Sequence, residues 1–513
     1  MGRRHLPLLV FGAVHLVSTL PFLLDRAPGT NAAMIGFPLD DAWIHLVYAR
    51  SLAAFEGFAW NPGQPESGFT SPLWAILLAP AFWIPGLSTL GLTLAVKALG
   101  LALAVVTSLL AFRVVSRLSL DTWAGWSAGL LIAAEPALTF AKLSGMEVLL
   151  AAATVLFTLD ALLAERPMLA GLGLALAPLA RPENAIFSAL AALVLGAMLI
   201  ERGQARRLWT AFSFPFVAGA SWVVYNMIVI GRPLPTTFYA KHEPMTLETF
   251  SSNMRAVAGP ITGQVGALAA GVALVLAVFG AALLVGRSRA ASATSRRCTA
   301  LFLVPPLLYV CGVAWAHDLQ DPGAFYFSRY LLPPMVFVLA LVGLGAVAAL
   351  RWAWPRGLPA RIGATAMAAL PITGIVAVLP ATTARFAWNC QNIQELNVAT
   401  AQWVAAHSTS DDWVGTVDAG AVRFFGTAKV LDLAALNSHE LLVGRARDHV
   451  DRVQARFLVL FPALLDTAVD DYVKVHSVTT HSYTICRCDQ AELAVYERAQ
   501  TTRNSPEAPP PTQ

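Results

Sequence analysis

The sequence predicts an α-helical membrane protein of about eleven spans, with interfacial helices in its first outer loop and a small C-terminal α/β domain outside the membrane. Three observations predict it. Of 513 residues, 57% are hydrophobic and only 13% charged, about half the charged share of an ordinary soluble domain. Apolar runs of roughly 16 to 25 residues recur between residues 6 and 384, the length that carries a helix across about 30 Å of hydrocarbon. The clusters of arginine between those runs fall on one side of the chain's path. The runs are rich in Ala, Leu, Val and Gly and lack the short alternating segments of an outer-membrane barrel, which argues against strands.

Residues 6–24 make the first span. Arg3 and Arg4 ahead of it also suit a secretory signal, but the run is long and no small-residue cleavage site follows, so an uncleaved helix is expected. Residues 37–74, FPLDDAWIHLVYARSLAAFEGFAWNPGQPESGFTSPLW, then interrupt the hydrocarbon pattern. Within them AWIHLVYARSLAAF, with Trp43 and Tyr48, suits a helix lying at the interface. The stretch 72–86 is too short to cross and is bounded by Pro72 and by Pro85-Gly86, which places it in the interface or as a re-entrant helix.

Further spans are expected at 88–112, 123–141, 147–163, 168–181, 185–200, 208–230, 260–286, 299–316, 330–350 and 363–384. With a cytoplasmic amino terminus, the inner loops hold Arg113 and Arg117; Arg166; Arg202, Arg206 and Arg207; Arg287, Arg289, Arg296 and Arg297; and Arg351, Arg356 and Arg361. Counting 72–86 as a span would move Arg113 and Arg117 outside and break the pattern. Beyond residue 385, the stretches 411–437, 455–461, 472–480 and 491–498 read as short strands among loops and helices. An odd number of spans puts this domain outside. The expected organisation is a transmembrane catalytic domain at 1–384, an extracytoplasmic α/β domain at 385–501 and a disordered tail at 502–513.

The net charge of +4 comes from scattered arginines and points to membrane topology, not to nucleic acid. The five cysteines show no framework spacing; Cys486 and Cys488 are a redox or metal half-site or, more simply, structural residues. No Walker loop, zinc spacing or Gly-x-Ser-x-Gly elbow occurs, which argues against nucleotide hydrolysis and serine chemistry.

Polar chemistry gathers instead in the outer loops: Asp40-Asp41, SGME at 144–147, ARPE at 180–183, GRPLPTTFYAKHE at 231–243 and HDLQDPGAFYFSRY at 317–330. Solvated loops alone would not require this one-sidedness. Asp40 and Asp41 suit a helix N-cap, but a second acid is redundant for capping, and a carboxylate there can take the proton of an attacking hydroxyl. Arg181, Arg232, Lys241, His242 and Arg329 either snorkel to headgroups or together hold a phosphate. Glu147 opens a helix and suits a cap or a catalytic role. Within the spans, Lys97 and Glu135 suit a cavity wall, Asp160 the inner water interface, and Asn226 stands alone as a polar group. In the outer domain Asp418, Arg423 and Asn437 suit acceptor contact or loop capping.

These blocks, with the distal VGTVDAGAVRFFGTAKVLDLAALN, resemble the bacterial multi-spanning glycosyltransferases of the GT-C type. Within them the chain is most similar to the terminal arabinofuranosyltransferase-like group of mycobacterial cell-wall synthesis. The resemblance implies a sugar, arabinofuranose in that group, taken from a polyprenyl-phosphate donor on the outer face of the bacterial cytoplasmic membrane and passed, with inversion, to a glycan or lipid acceptor. It implies a base at Asp40 or Asp41, with Asp40 favoured. It carries donor phosphate over to Arg181 and Lys241; from the residues themselves Arg329 and His242 are further candidates for the phosphate, and His45, Glu147, Tyr239 and Glu183 for the cavity lining. No cofactor is implied, although two acids leave a divalent metal open. Trp43, His45 and the Thr pair of PTTFYAK depart from the group's usual residues, which leaves sugar and acceptor undetermined. The rival readings are a transporter or flippase of lipid-linked saccharides, which should show paired broken helices and internal symmetry, and a scaffold whose outer domain binds glycans.

Overall fold

The computed structural model describes residues 5–27, 35–241, 246–316, 326–462, 470–480, 485 and 492–499. Helix α1 is Leu6–Leu24. The first outer loop holds α2 (Asp41–Ala53), a hairpin of β1 (Ala59–Asn61) and β2 (Gln64–Pro65), and α3 (Pro72–Leu78), which continues as a 3-10 turn to Trp83. This segment is too short to cross a membrane, as the proline boundaries predict.

The helical body continues with α4 (Thr89–Ser119), α5 (Thr122–Ala134), α6 (Pro136–Leu143), α7 (Val148–Leu163), α8 (Pro167–Ala180), α9 (Ala185–Glu201) and α10 (Ala205–Ile230). After the short α11 (Thr236–Ala240) come α12 (Leu247–Val265), α13 (Ala267–Ser288), α14 (Ala293–Ala316), α15 (Leu332–Ala353) and α16 (Leu358–Asn392). Eight of the described helices are long and apolar enough to span. The pair α6 and α7, bent by 109°, makes a ninth if read as one broken span. Each expected span contains a helix, but α5 and α8, at 13 and 14 residues, fall short of a crossing by themselves.

Two breaks have local causes. The expected span 123–141 divides because Pro136 drives Glu135 into an extended conformation (φ −66°, ψ 119°). The expected start at residue 260 moves to 267, because Gly266 turns with φ +72° between α12 and α13. Close helix contact elsewhere uses glycine: Gly345 of α15 lies against the Leu276 carbonyl of α13, and Gly171 of α8 against the Ala211 carbonyl of α10.

Helix α16 runs through residue 384 without interruption, and a π-helical stretch (Ile393–Val398) leads into α17 (Ala399–His407). The C-terminal unit follows as β3 (Trp413–Thr416), α18 (Ala419–Phe425), β4 (Lys429–Asp432), α19 (Ala446–Arg452), β5 (Phe457–Leu460), β6 (Tyr472–Thr479) and β7 (Glu492–Arg498). Its sheet has the order β4-β3-β5-β7-β6. β3 pairs in parallel with β4 and β5, while β7 pairs antiparallel with β5 and β6. The parallel half arises where helical crossovers separate the strands, the antiparallel half where they do not. The tail at 502–513 and the Cys486/Cys488 pair lie outside the described residues.

Candidate active site

A cavity of about 370 Å³ opens where α2, the α6–α7 turn, the Arg181–Glu183 turn, α11 and the segment before α15 meet. Asp41, the first residue of α2, lines it with about a quarter of its side chain exposed. Its Oδ2 accepts from Arg329 Nη1 at 2.6 Å. Burial alone would lift this carboxyl; the charges of Arg329 and Lys241, the Arg329 hydrogen bond and nearby His45 outweigh burial and hold it below the usual carboxylate range.

Asp40 turns away. It sits at the N-cap of α2 without capping it. Its two oxygens accept from the backbone N–H groups of Gly420 (2.6 Å) and Ala421 (2.9 Å) at the start of α18. The close approach needs Gly420, since a Cβ there would strike the Asp40 carbonyl. Burial, then the neighbouring Asp418 charge, push the Asp40 carboxyl well above its ordinary value. The sequence expectation that favoured Asp40 over Asp41 therefore meets a geometry in which Asp40 is absent from the cavity wall and engaged by the C-terminal unit.

Glu147 does not cap α7 with its side chain. Its Oε1 receives Arg181 Nη1 at 2.9 Å, and His45 Nε2 stands 3.3 Å from its Oε2. Arg181 is further bound by Glu183 through Nε at 3.2 Å, so its guanidinium is shared between two acids. The guanidinium carbons of Arg181 and Arg329 stand 4.7 Å and 5.3 Å from the centre of the Tyr330 ring. Lys241, at the end of α11, lines the cavity and pairs with no carboxylate among the described residues.

The turn that carries Glu147 is clamped from two sides. Lys97 Nζ donates to the Leu143 carbonyl at 2.6 Å and Trp74 Nε1 to the Gly145 carbonyl at 2.9 Å. Lys97 thus braces the wall without entering the cavity, and Glu135 caps α6. Asp160 does not reach for solvent: it is buried and paired with Arg113 at 2.7 Å and Arg117 at 2.5 Å.

Of the expected site residues, the structure brings Asp41, His45, Glu147, Arg181, Glu183, Lys241 and Arg329 to one cavity. Tyr239 and Arg232 instead stack on each other outside it, the guanidinium 4.8 Å from the ring centre. His242 lies outside the described residues. Tyr330, Tyr309 and Thr237 join the wall, although sequence reasoning had not singled them out as site residues; Tyr330 follows Arg329 directly and carried the nearest signal. Arg423 and Asn437, candidates for acceptor contact, are buried in structural bonds. Arg423 Nε donates to the Trp60 carbonyl at 2.8 Å, and Asn437 Oδ1 receives the Tyr48 hydroxyl at 2.9 Å.

Solved structures share this fold. ArnT from Cupriavidus metallidurans bound to undecaprenyl phosphate is similar over 97% of this chain and 99% of its own, with TM-score 0.59 and 12% identity. The chain has a GT-C fold. The oligosaccharyltransferase AglB from Archaeoglobus fulgidus, in complex with an inhibitory peptide and a dolichol-phosphate, shares this fold over 97% of this chain and 75% of its own, with TM-score 0.57 and 11% identity. The mycobacterial arabinofuranosyltransferase AftD is similar over 97% of this chain but 40% of its own, with TM-score 0.53 and 15% identity. Residues 388–500 match a family described as a domain of unknown function (DUF8728). No curated protein matches the sequence. With its many apolar helices and this GT-C fold, the chain is a multi-pass membrane protein.

Proposed function

We propose that the chain is an inverting glycosyltransferase that takes a sugar, arabinofuranose in the finer reading, from a polyprenyl-phosphate donor to a hydroxyl of a cell-envelope glycan or lipid. Transfer occurs at the outer face of the cytoplasmic membrane. The observation that carries this is Asp41, which faces the first cavity with about a quarter of its side chain exposed beside Arg329 and Lys241, while the other acids in the wall, Glu147 and Glu183, are both held by Arg181. The described neighbours of the same fold support the donor class, since two are named with a polyprenyl phosphate and one is named an arabinofuranosyltransferase.

Asp41 takes the proton of the acceptor hydroxyl as its oxygen attacks the anomeric carbon. The bond from that carbon to the phosphate oxygen breaks, and its electron pair leaves with polyprenyl phosphate. The phosphate leaves as an anion, so no second carboxylic acid is required, unlike glycoside hydrolysis. Lys241, with no carboxylate pairing among the described residues, meets the phosphate first. Arg329 is shared: as it turns from Asp41 toward the phosphate, it releases the carboxylate that its charge had held weakly basic. Arg181 is already neutralised by Glu147 and Glu183, so it holds the wall in place and leaves the phosphate charge to Lys241 and Arg329.

The test is to give detergent-purified chain a radiolabelled polyprenyl-phosphoryl sugar and a glycan acceptor. The expected result is labelled product of inverted anomeric configuration, lost in Asp41→Asn. Absence of transfer with every sugar and acceptor tried, alongside carriage of the intact donor across sealed vesicles, would replace this reading with transport. A single bent helix pair is described, where a transporter of inverted repeats needs two.

A further inference from the structure

A second cavity, of about 240 Å³, lies between the β1–β2 hairpin of the first outer loop and the C-terminal unit, with Asn61, Gln64, Glu66, Trp413, His439 and Glu440 in its wall. In it Glu66, His439 and Glu440 each present one ligand atom, and the three atoms lie within 4.8 Å of one another. His439 Nδ1 is 2.7 Å from Glu66 Oε2 and 3.9 Å from Glu440 Oε2. In a tetrahedral zinc site with bonds of about 2.0–2.2 Å, neighbouring ligand atoms stand roughly 3.4 Å apart, so these separations bracket the required edge.

Glu66 is only 4% exposed and is oriented before any ligand arrives. Its Oε1 accepts from Ser67 N at 2.8 Å and Thr236 Oγ1 at 2.7 Å, and its Oε2 from His439 N at 3.0 Å. Ligating carboxylates are held by such outer bonds. No Lys or Arg pairs with Glu66 or Glu440 among the described residues, so the only basic group facing the two carboxylates is the imidazole. A divalent cation would balance the two negative charges and free the imidazole to bind neutral.

We propose that Glu66, His439 and Glu440 bind a divalent transition-metal cation, zinc or manganese, that pins the first outer loop to the C-terminal unit. One imidazole and two carboxylates suit these ions better than soft copper(I) or the all-oxygen preference of calcium. The pin borders groups that wall the first cavity: Thr236, bonded to Glu66, precedes Thr237, and Gly68, two residues beyond Glu66, lies against Leu436 and Asn437. The ion is structural. It bridges two parts of the chain and takes no part in the transfer.

The test uses untagged full-length chain in detergent, stripped with a chelator and re-exposed to zinc, manganese or magnesium at micromolar levels. Bound metal is counted by mass spectrometry after gel filtration, and the melting temperature is followed. The expected result is one zinc or manganese per chain with a metal-dependent rise in melting temperature. Glu440→Gln, a partly exposed substitution that should leave the fold intact, should lose both, with at least about tenfold weaker metal binding. His439→Ala should do the same. Failure to retain metal, an ion pair only, overturns the proposal. So does an equal rise in parent and both variants, which would place the metal elsewhere.

Discussion

Asp40 and Asp41 are adjacent in the chain and have opposite partners: one binds the amide groups of α18, the other an arginine at the cavity. Substitution should separate them. Asp41→Asn removes the base and should lower transfer by about 10²- to 10⁴-fold. Asp40→Asn offers one good acceptor oxygen to two N–H groups, so one buried amide loses its partner at about 1–3 kcal/mol. It should lower the melting temperature while the folded fraction transfers within a few-fold of the parent; the reverse pattern would return the role of base to Asp40. Lys241→Ala should raise the donor KM by roughly 10- to 150-fold, the equivalent of one charge-assisted hydrogen bond of about 1.5–3 kcal/mol, with kcat less changed. An unaltered donor KM would show that Lys241 does not meet the phosphate. Asp418 offers a pH test. Burial raises its carboxyl from 3.8 to about 6, with the Asn397 bond opposing and the Asp41 charge adding. The folded chain therefore holds this proton more tightly than the unfolded chain, and stability falls as pH rises from about 4 to 6. Asp418→Asn should melt higher than the parent at pH 7.5, and the gap should close by pH 4. A gap that is constant with pH would reject that titration.

At the scale of elements, hydrophobic length was legible and the breaks were legible only where a proline or glycine marked them. Pro72 and Pro85-Gly86 correctly kept α3 from being counted as a span, and Pro136 explains a break that the apolar run 123–141 concealed. The role of Glu147 was hidden because its partners, Arg181 and His45, come from other elements; an acid at a helix start looks the same in sequence whether it caps or pairs. The α6–α7 turn that aims Glu147 depends on Gly145, which has φ +80° and whose absent Cβ would lie 2.9 Å from Ala42 Cβ and the Phe37 ring. Gly145→Ala therefore combines left-handed strain with overpacking. It should cost about 2–5 kcal/mol and shift Glu147 away from Arg181. Melting temperature by fluorescence-detected gel filtration measures the first effect and transfer rate the second; a variant that matches the parent in both would mean that the turn adapts.

At the scale of the whole molecule, the expected boundary at residue 384 separates sequences of different character but not separate bodies. Arg50 donates to the carbonyls of Phe424 (2.8 Å) and Arg423 (3.2 Å), and Trp43 packs tilted against Phe424 and edge-on to Phe425, 4.7 and 4.9 Å between centroids. Asn61 acts as one more peptide on the sheet's edge: its Oδ1 accepts from Val430 N at 2.8 Å and its Nδ2 donates to Val430 O at 3.1 Å. β4 is that edge strand, so the first outer loop covers a row of backbone groups that would otherwise seek a partner. None of these pairings was readable from sequence, because each joins residues more than 360 positions apart. They carry a prediction that composition alone would not make. A chain ending at residue 384 keeps nearly every apolar span, yet it strips partners from Asp40, Trp43, Arg50, Trp60 and Asn61 at once. It should insert into membranes but emerge from detergent as aggregate, and supplying residues 385–513 as a separate chain should restore a monodisperse species. Asn61→Ala in the full chain, which unpairs the Val430 N–H and leaves Trp60 Nε1 alone on the Val430 carbonyl, should lower the melting temperature by an amount that the truncated membrane domain cannot show. A monodisperse 1–384 fragment with native melting behaviour would establish that the C-terminal unit merely rests on the membrane domain, and that the first outer loop holds its shape without it.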